Sequence, residues 1–484
     1  GGTFESKWGN YKFGINRKKG RPYVNATSGS VVAIDVKTGE LLALANYPAY
    51  DPNLFSTGIS SSDWVSLFPE NEEDLLAPRP LYNIAIQTAV QPGSTFKMVT
   101  ALAALEKGFS PTKTIRDMGR VDIGVKTFGC WLWNSHGGTH GYENVYDALR
   151  DSCNYYFYSL ALGKNQKTGE SLGIRVDIED IVNISKQLGL NDKTGIEIDI
   201  PNEVAGGVPD PQRKIMITKS LLKRYLNNNI RLYIKEDVEF KDEEIAEIID
   251  EILSWIEEPE PLSRNEVIRR LDQMGFYPEK VLPGDRSGLA DKIKFDYINQ
   301  AGWNITDTLN ITIGQGQNAY TPIQMANFIA TIANGGYRHK VTTIDNIKNF
   351  DNSKVIMEKE INPERIQLND YENLEHVKLG MKKVSTEGTA RSLFHGFPVT
   401  VASKTGTAQK SGINPATGDT YDDYAWFVAF APYEDPEIAV AVVLFQGGSG
   451  GYAGPIAREI IAEYLGFNSV DKKGALPFEI ELAR

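Results

Sequence analysis

The sequence predicts an α+β fold, with an antiparallel sheet drawn from both chain ends and flanked by helices from the middle. After a polar leader, residues 30–46 hold two apolar runs, 31–34 and 41–45, joined by the turn Lys37-Thr38-Gly39-Glu40, which reads as a β-hairpin. Residues 399–409, 425–431 and 437–445 are further apolar or β-rich runs separated by turn residues. Between these ends helical patterns dominate, so a sheet covered by helices is the simplest way to bury both kinds of apolar face.

The elements follow in order. Residues 51–79 are polar and loop-like. Gln91-Pro92-Gly93 breaks the chain, and residues 94–107 turn helical with Ala101, Ala103, Ala104 and Leu105 before Gly108 closes the segment. Residues 117–141 are irregular and rich in Gly, Trp and His; 142–163 reads as two helical pieces interrupted at 151–154; 177–189 is another helix. Dense charge then begins, with Ile245, Ile248, Ile249, Ile252, Leu253 and Ile256 on one helical face. We read 210–283 as an inserted helical subdomain that divides the main domain into 1–209 and 284–484. Residues 304–334 return to the main domain through the turn Gly314-Gln315-Gly316-Gln317 and a helix from Thr321-Pro322, and 455–465 forms a closing helix with Pro455 at its start.

Bulk properties narrow the function. The chain has 484 residues, more than one core usually holds, so two lobes or a large insertion are expected. Its 41% hydrophobic and 24% charged residues are ordinary for a globular protein. A net charge of −12 repels phosphate backbones and argues against a nucleic-acid partner. No run of about 18 apolar residues and no secretory leader is visible, so any anchor is expected to lie outside this chain.

Three short motifs carry chemistry. Ser94-Thr95-Phe96-Lys97 places a hydroxyl and an amine on one helical face, within expected hydrogen-bond reach. A serine needs a base to become a nucleophile, and a lysine of lowered pKa serves. Ser152-Cys153-Asn154 lies between two helices, where Ser152 can relay a proton and Asn154 can hold an amide. Lys404-Thr405-Gly406-Thr407 lies on a strand, with Lys404 and Gly406 facing one way and Thr405 and Thr407 the other. Gly406 permits close approach of another backbone. Each motif alone fits an ordinary helix start, turn or strand; their order on these elements is the signal.

That order is the motif set of β-lactamases and penicillin-binding proteins. Pro92-Gly93-Ser94-Thr95-Phe96-Lys97 resembles the signature of high-molecular-weight penicillin-binding proteins, and residues 30–46, 307–333 and 401–431 also resemble their transpeptidase domain. Within the family the chain is most similar to class B, elongation-type members and their sporulation relatives. The family's N-terminal pedestal and membrane anchor are absent from the sequence, and 210–283 matches no part of it that we identify.

The resemblance implies that Ser94 attacks the penultimate D-alanine of a peptidoglycan stem peptide, with Lys97 as its activator. It implies an oxyanion hole from the N–H groups of Ser94 and Thr407, and a carboxylate site from Lys404, Thr405 and Thr407. β-Lactam antibiotics would acylate Ser94 as substrate mimics. The expected setting is the extracytoplasmic face of a bacterial membrane, in an elongation or sporulation complex with a glycosyltransferase. A D,D-carboxypeptidase, a β-lactamase or a β-lactam sensor domain would share every one of these residues.

Both cysteines, Cys130 and Cys153, and two of the five histidines, His136 and His140, fall within one short segment. The residues alone allow a zinc site completed by Asp117 or His136, a disulfide, or two buried thiols. Some elongation-type relatives resemble this segment with an Asp, Cys and His zinc site beside the Ser-x-Asn motif. By that resemblance Asp117, Cys130, His140 and Cys153 are the expected Zn2+ ligands, with His136 outside.

Overall fold

A computed structural model describes residues 28–468, apart from 73, 75–76, 198–202, 411 and 417, together with four two-residue strands nearer the N-terminus. Most of the polar leader lies outside the described residues. The chain divides into two compact units: Gly1–Val208 with Thr308–Arg484, and Pro209–Asp307.

The first unit is built on five strands: β1 (Ser28–Asp35), β2 (Leu41–Tyr47), β3 (Ala402–Ala408), β4 (Tyr424–Ala431) and β5 (Ile438–Phe445). Their order is β3-β4-β5-β1-β2, antiparallel throughout. The ladder from Ile438–Asp35 to Phe445–Ser28 joins the two chain ends, as expected from the sequence. β4 is buried at every position, because helices cover both faces of the sheet. Helix Pro322–Ala333, itself wholly buried, packs on β1, β4 and β5; it starts with Pro322 after a Thr321–Gln324 capping box. Helix Gly454–Tyr464 sets Ala457 and Ile461 against Phe427, Val440 and Val442. β3 is an edge strand, and the chemistry sits there. The loop-like stretch 51–79 does contain a short helix, Ser61–Ser66, capped by Ser60.

The second unit holds helices Pro211–Asn229, Asp242–Ser254 and Arg264–Gln273 around their own core of Leu222, Leu226, Ile249, Ile252, Trp255, Leu271 and Phe276. It ends at Asp307, beyond the expected boundary at 283. Leu289, Ala290, Ile293 and Ile298 belong to this core, so the return to the main unit comes at Thr308. No helix among the described residues is long and apolar enough to cross a membrane.

Candidate active site

Gly93–Phe96 forms a single 3-10 turn that runs straight into helix Lys97–Glu106. Three residues per turn eclipse positions i and i+3, so Ser94 and Lys97 share a face. Ser94 is half-buried and lines a cleft of about 610 Å3, whereas Lys97 is fully buried behind it. The expected Ser94–Lys97 hydrogen bond is not made among the described residues. Lys97 Nζ instead donates to the Ser152 carbonyl at 2.7 Å, Ser152 Oγ at 3.1 Å and Asn154 Oδ1 at 2.5 Å. Three acceptors on one loop match the three N–H bonds of an ammonium, which leaves the Ser94 hydroxyl turned to the cleft.

Lys404, also fully buried, donates to the same Ser152 Oγ at 3.0 Å and to the Thr405 carbonyl at 3.1 Å. One hydroxyl oxygen thus lies between two lysines. Burial pushes Lys97 down to about 8, against the pull of the Cys130 and Cys153 sulfurs. Burial, and then the charge of Lys97, hold Lys404 well below the lysine range, against Asp151. Two amines sharing an oxygen in a buried site disfavour a second positive charge, so a neutral amine is available near neutral pH.

Ser152 has a left-handed backbone, φ +56°, which costs a non-glycine residue about 1–2 kcal/mol. The loop is held by several partners. Cys153 N–H donates to the Ala148 carbonyl at 3.0 Å, Trp131 Nε1 to the Asp151 carbonyl at 2.9 Å, and Asn154 N–H to Cys130 Sγ at 3.3 Å. Cys153 is also the N-cap of helix Asn154–Leu162.

On β3, Thr405 and Thr407 line the cleft, while Lys404 is buried behind them. A Cβ at Gly406 would lie 2.7 Å from the Pro92 carbonyl, so only glycine lets the Ser94 turn seat against the strand. Gln315 Nε2 donates to the Thr407 carbonyl at 3.4 Å, which places that carbonyl on the free edge of the strand. In an antiparallel ladder the N–H of a residue faces the same side as its carbonyl, so Thr407 N–H also faces the cleft. Thr405 Oγ1 bonds Thr389 Oγ1 at 3.0 Å, and Thr407 Oγ1 accepts from Gly450 N–H at 3.1 Å. Gln315, Thr389 and Gly450 escaped sequence reasoning; only the Gly314–Gln317 turn hinted at one of them. Gly314, at φ +73°, would place a Cβ 2.0 Å from the Gly93 carbonyl.

Beside the Ser152 loop, the donor atoms of Asp117, Cys130, His140 and Cys153 all lie within 4.8 Å of one another. His136 is exposed, bonds Ser135 Oγ at 2.7 Å, and stands outside the group. The two thiols are unpaired with Sγ atoms 3.9 Å apart, far from a disulfide's length of about 2.05 Å. Two sulfurs tetrahedrally placed at about 2.3 Å from one ion are about 3.8 Å apart. His140 Nδ1 lies 3.6 Å from Cys130 Sγ and 2.9 Å from Asp117 Oδ2, so this ring nitrogen faces the group. The hydrogen bond from Cys153, opposed by burial, brings Cys130 down to about 4. Burial opposes charge on His140, but Asp117 and Cys130 raise it to about 10. A buried, electron-rich S2NO donor set with tetrahedral sulfur spacing fits zinc.

Most of the chain is similar to proteins of one family. Residues 29–224 and 271–462 match the penicillin binding protein transpeptidase domain, with the break inside the second unit. The peptidoglycan D,D-transpeptidase MrdA of Acinetobacter baumannii is 28% identical over 448 residues, which cover 90% of this chain and 50% of that protein. The Escherichia coli K12 MrdA is 26% identical over 458 residues, covering 91% and 55%. The crystal structure of Pseudomonas aeruginosa PBP2 in complex with WCK 5153 matches with a TM-score of 0.61 and 25% identity, covering 94% of this chain and 77% of that one. The PBP2–MreC complex of Helicobacter pylori matches in fold, with a TM-score of 0.60 at 23% identity over 92% and 62% of the two chains. The chain spans about half the length of the curated relatives it matches. It belongs to the penicillin-binding protein transpeptidase domain family.

Proposed function

We propose that this chain is the cross-linking domain of a peptidoglycan D,D-transpeptidase, acting through an acyl-enzyme on Ser94 and blocked by β-lactams. The observation that carries this reading is the convergence of Ser94, Ser152, Asn154, Thr405 and Thr407 on one cleft, with Lys97 and Lys404 buried behind it. Neutral Lys97 takes the Ser94 proton as Oγ attacks the carbonyl of the penultimate D-alanine. The N–H groups of Ser94 and Thr407 bind the oxyanion. The C–N bond to the terminal D-alanine then breaks, and Lys97 returns the proton through Ser152 Oγ to the departing amine. Lys404, Thr405 and Thr407 hold the terminal carboxylate, and Asn154 holds a backbone amide of the donor. An amine of a second stem peptide attacks the ester and loses its proton to Lys97; the bond from the acyl carbon to Ser94 Oγ then breaks, and Lys97 gives the proton back to Ser94 Oγ.

Zn2+ held by Asp117, Cys130, His140 and Cys153 would act structurally, supplying a cross-link that ties the Ser152–Asn154 loop to the segment before it. The full-length protein would then work at the extracytoplasmic face of the membrane, in an elongation or sporulation complex with a glycosyltransferase. The MrdA relatives, named as peptidoglycan D,D-transpeptidases, support action on peptidoglycan.

The test is covalent labelling with a fluorescent penicillin, followed by assay of D-alanine release from a stem peptide given a D-amino acid acceptor. Stable labelling that Ser94→Ala abolishes, together with an exchanged peptide, is the expected result. Loss of the label within seconds would mean a β-lactamase; labelling without D-alanine release would mean a sensor; release without exchange would mean a carboxypeptidase.

A further inference from the structure

We infer that the free edge of the strand Lys126–Gly129 is the acceptor site, which holds the backbone of the amine-bearing stem peptide across the cleft from the donor. This rests on the transpeptidase reading and gives it a second substrate site.

Residues 120–129 form a hairpin in which Arg120–Ile123 pairs antiparallel with Lys126–Gly129, Asp122 standing opposite Thr127 and Arg120 opposite Gly129. In such a ladder, bonded pairs alternate with pairs whose N–H and carbonyl groups point outward. Cys130 N–H donates to the Gly119 carbonyl at 2.7 Å, so Arg120–Gly129 and Asp122–Thr127 are outward pairs. The side-chain bonds agree. Asp122 N–H donates to Gln166 Oε1 at 2.8 Å, and its carbonyl accepts from Gln166 Nε2 at 2.6 Å. On the other edge, the Gly129 carbonyl accepts from Asn134 Nδ2 at 3.4 Å.

Thr127 N–H and carbonyl therefore point away from the hairpin. Thr127, Phe128 and Gly129 all line the cleft. Side chains of consecutive strand residues alternate in direction, so three in a row line one cleft when the strand turns its edge to it. Gln166 covers the edge at Asp122; among the described residues no side-chain amide does the same at Thr127, which is exposed and turns its hydroxyl back to Asp122 Oδ1 at 2.9 Å.

An N–H and a carbonyl from one residue on an open edge match one residue of an extended peptide, which exchanges both bonds with it. The donor is placed elsewhere, with its carboxylate and scissile carbonyl on the wall formed by Thr405 and Thr407. The reaction needs a second peptide whose amine reaches the acyl carbon on Ser94, and Ser94 lines the same cleft as Thr127. Trp131 also lines it, exposed, with its ring fixed by the bond from Nε1 to the Asp151 carbonyl. The apolar face of that ring suits the alkyl chain that carries the attacking amine.

The test measures how the Ser94 acyl-enzyme divides between aminolysis and hydrolysis, a ratio set after acylation. The acceptors are a tripeptide with one free lysine side-chain amine, and D-leucine, which has no peptide backbone to lay on the edge. With the wild type, methylating the tripeptide amides one at a time is expected to lower the ratio about fivefold at one position and less than about twofold at the others, the scale of one backbone hydrogen bond. Thr127→Pro removes the edge N–H and no ladder bond. It is expected to lower the ratio about fivefold for the tripeptide and less than about twofold for D-leucine, and Thr127→Val, which keeps the N–H, to restore it. A wild-type ratio indifferent to every methylation, or an equal fall for both acceptors in Thr127→Pro, overturns the inference. Penicillin labelling of Ser94 in the same wild-type sample separates the two levels. Labelling and transfer that ignore methylation remove only the acceptor site; absence of labelling, or of transfer to either amine, removes the transpeptidase reading and this inference with it.

Discussion

Raising the pH from 7 to 9 should speed acylation of Ser94 about tenfold, and Lys97 is the reason. Burial lowers this amine to about 8. Its neutral fraction is then about 9% at pH 7 and about 91% at pH 9, whereas an unperturbed lysine would be about 0.03% neutral at pH 7. Burial therefore raises the population of competent base about 300-fold at neutral pH. The assay is stopped-flow acylation by a penicillin whose carboxylate stays ionised across the range, with k2/K followed from pH 6 to 9.5. A single upward step with a midpoint near 8 is expected. The Cys130 and Cys153 sulfurs favour the charged amine, so a bound divalent cation that offsets their charge should move the midpoint down, and removing it should move the midpoint up. A profile flat or falling between pH 7 and 9 refutes Lys97 as the base; a midpoint indifferent to chelation refutes its coupling to the sulfur cluster.

Three other outcomes follow from the same geometry. Gly314→Ala would push a Cβ to 2.0 Å from the Gly93 carbonyl and shift the Ser94 turn; acylation should fall about 100-fold with circular dichroism unchanged, and a loss under threefold would show that the turn adapts. Cys153→Ser should leave less than about half an equivalent of zinc by metal analysis and lower Tm, because one of four buried donors is weakened. Residues 209–307 expressed alone should give a helical spectrum and a cooperative thermal transition, since their core is self-contained; an unfolded spectrum would contradict that.

The sheet was legible because its strands carry their own signals. Continuous apolar runs bounded by turn residues mark β4 and β5, and Thr321-Pro322 marks a helix start. The motif residues were legible because their spacing is local. Nothing local says which core an apolar face will join, and so the pattern places Leu289, Ile293 and Ile298 in the main domain although they complete the second. The rim of the cleft was hidden for the same reason. Gln315, Thr389, Asp423 and Gly450 come from four separate segments and meet only through the fold.

Competition for hydrogen bonds was equally invisible in the Ser94-x-x-Lys97 spacing. That spacing predicts a pair, yet Lys97 directs its donors to Ser152 and Asn154. This makes Ser152 the joint of the site. Its hydroxyl touches both lysines, its carbonyl accepts from one of them, and its backbone sits in a region that a serine occupies only under constraint. The constraint comes from its neighbours: Cys153 is buried against Cys130, whose sulfur also accepts the Asn154 N–H. Were the sulfur cluster to loosen, Ser152 could relax out of the left-handed region, and its hydrogen bonds to Lys97 and Lys404 would break first. The cluster and the nucleophile are thus coupled through one strained residue, without any direct contact between Ser94 and a sulfur being needed.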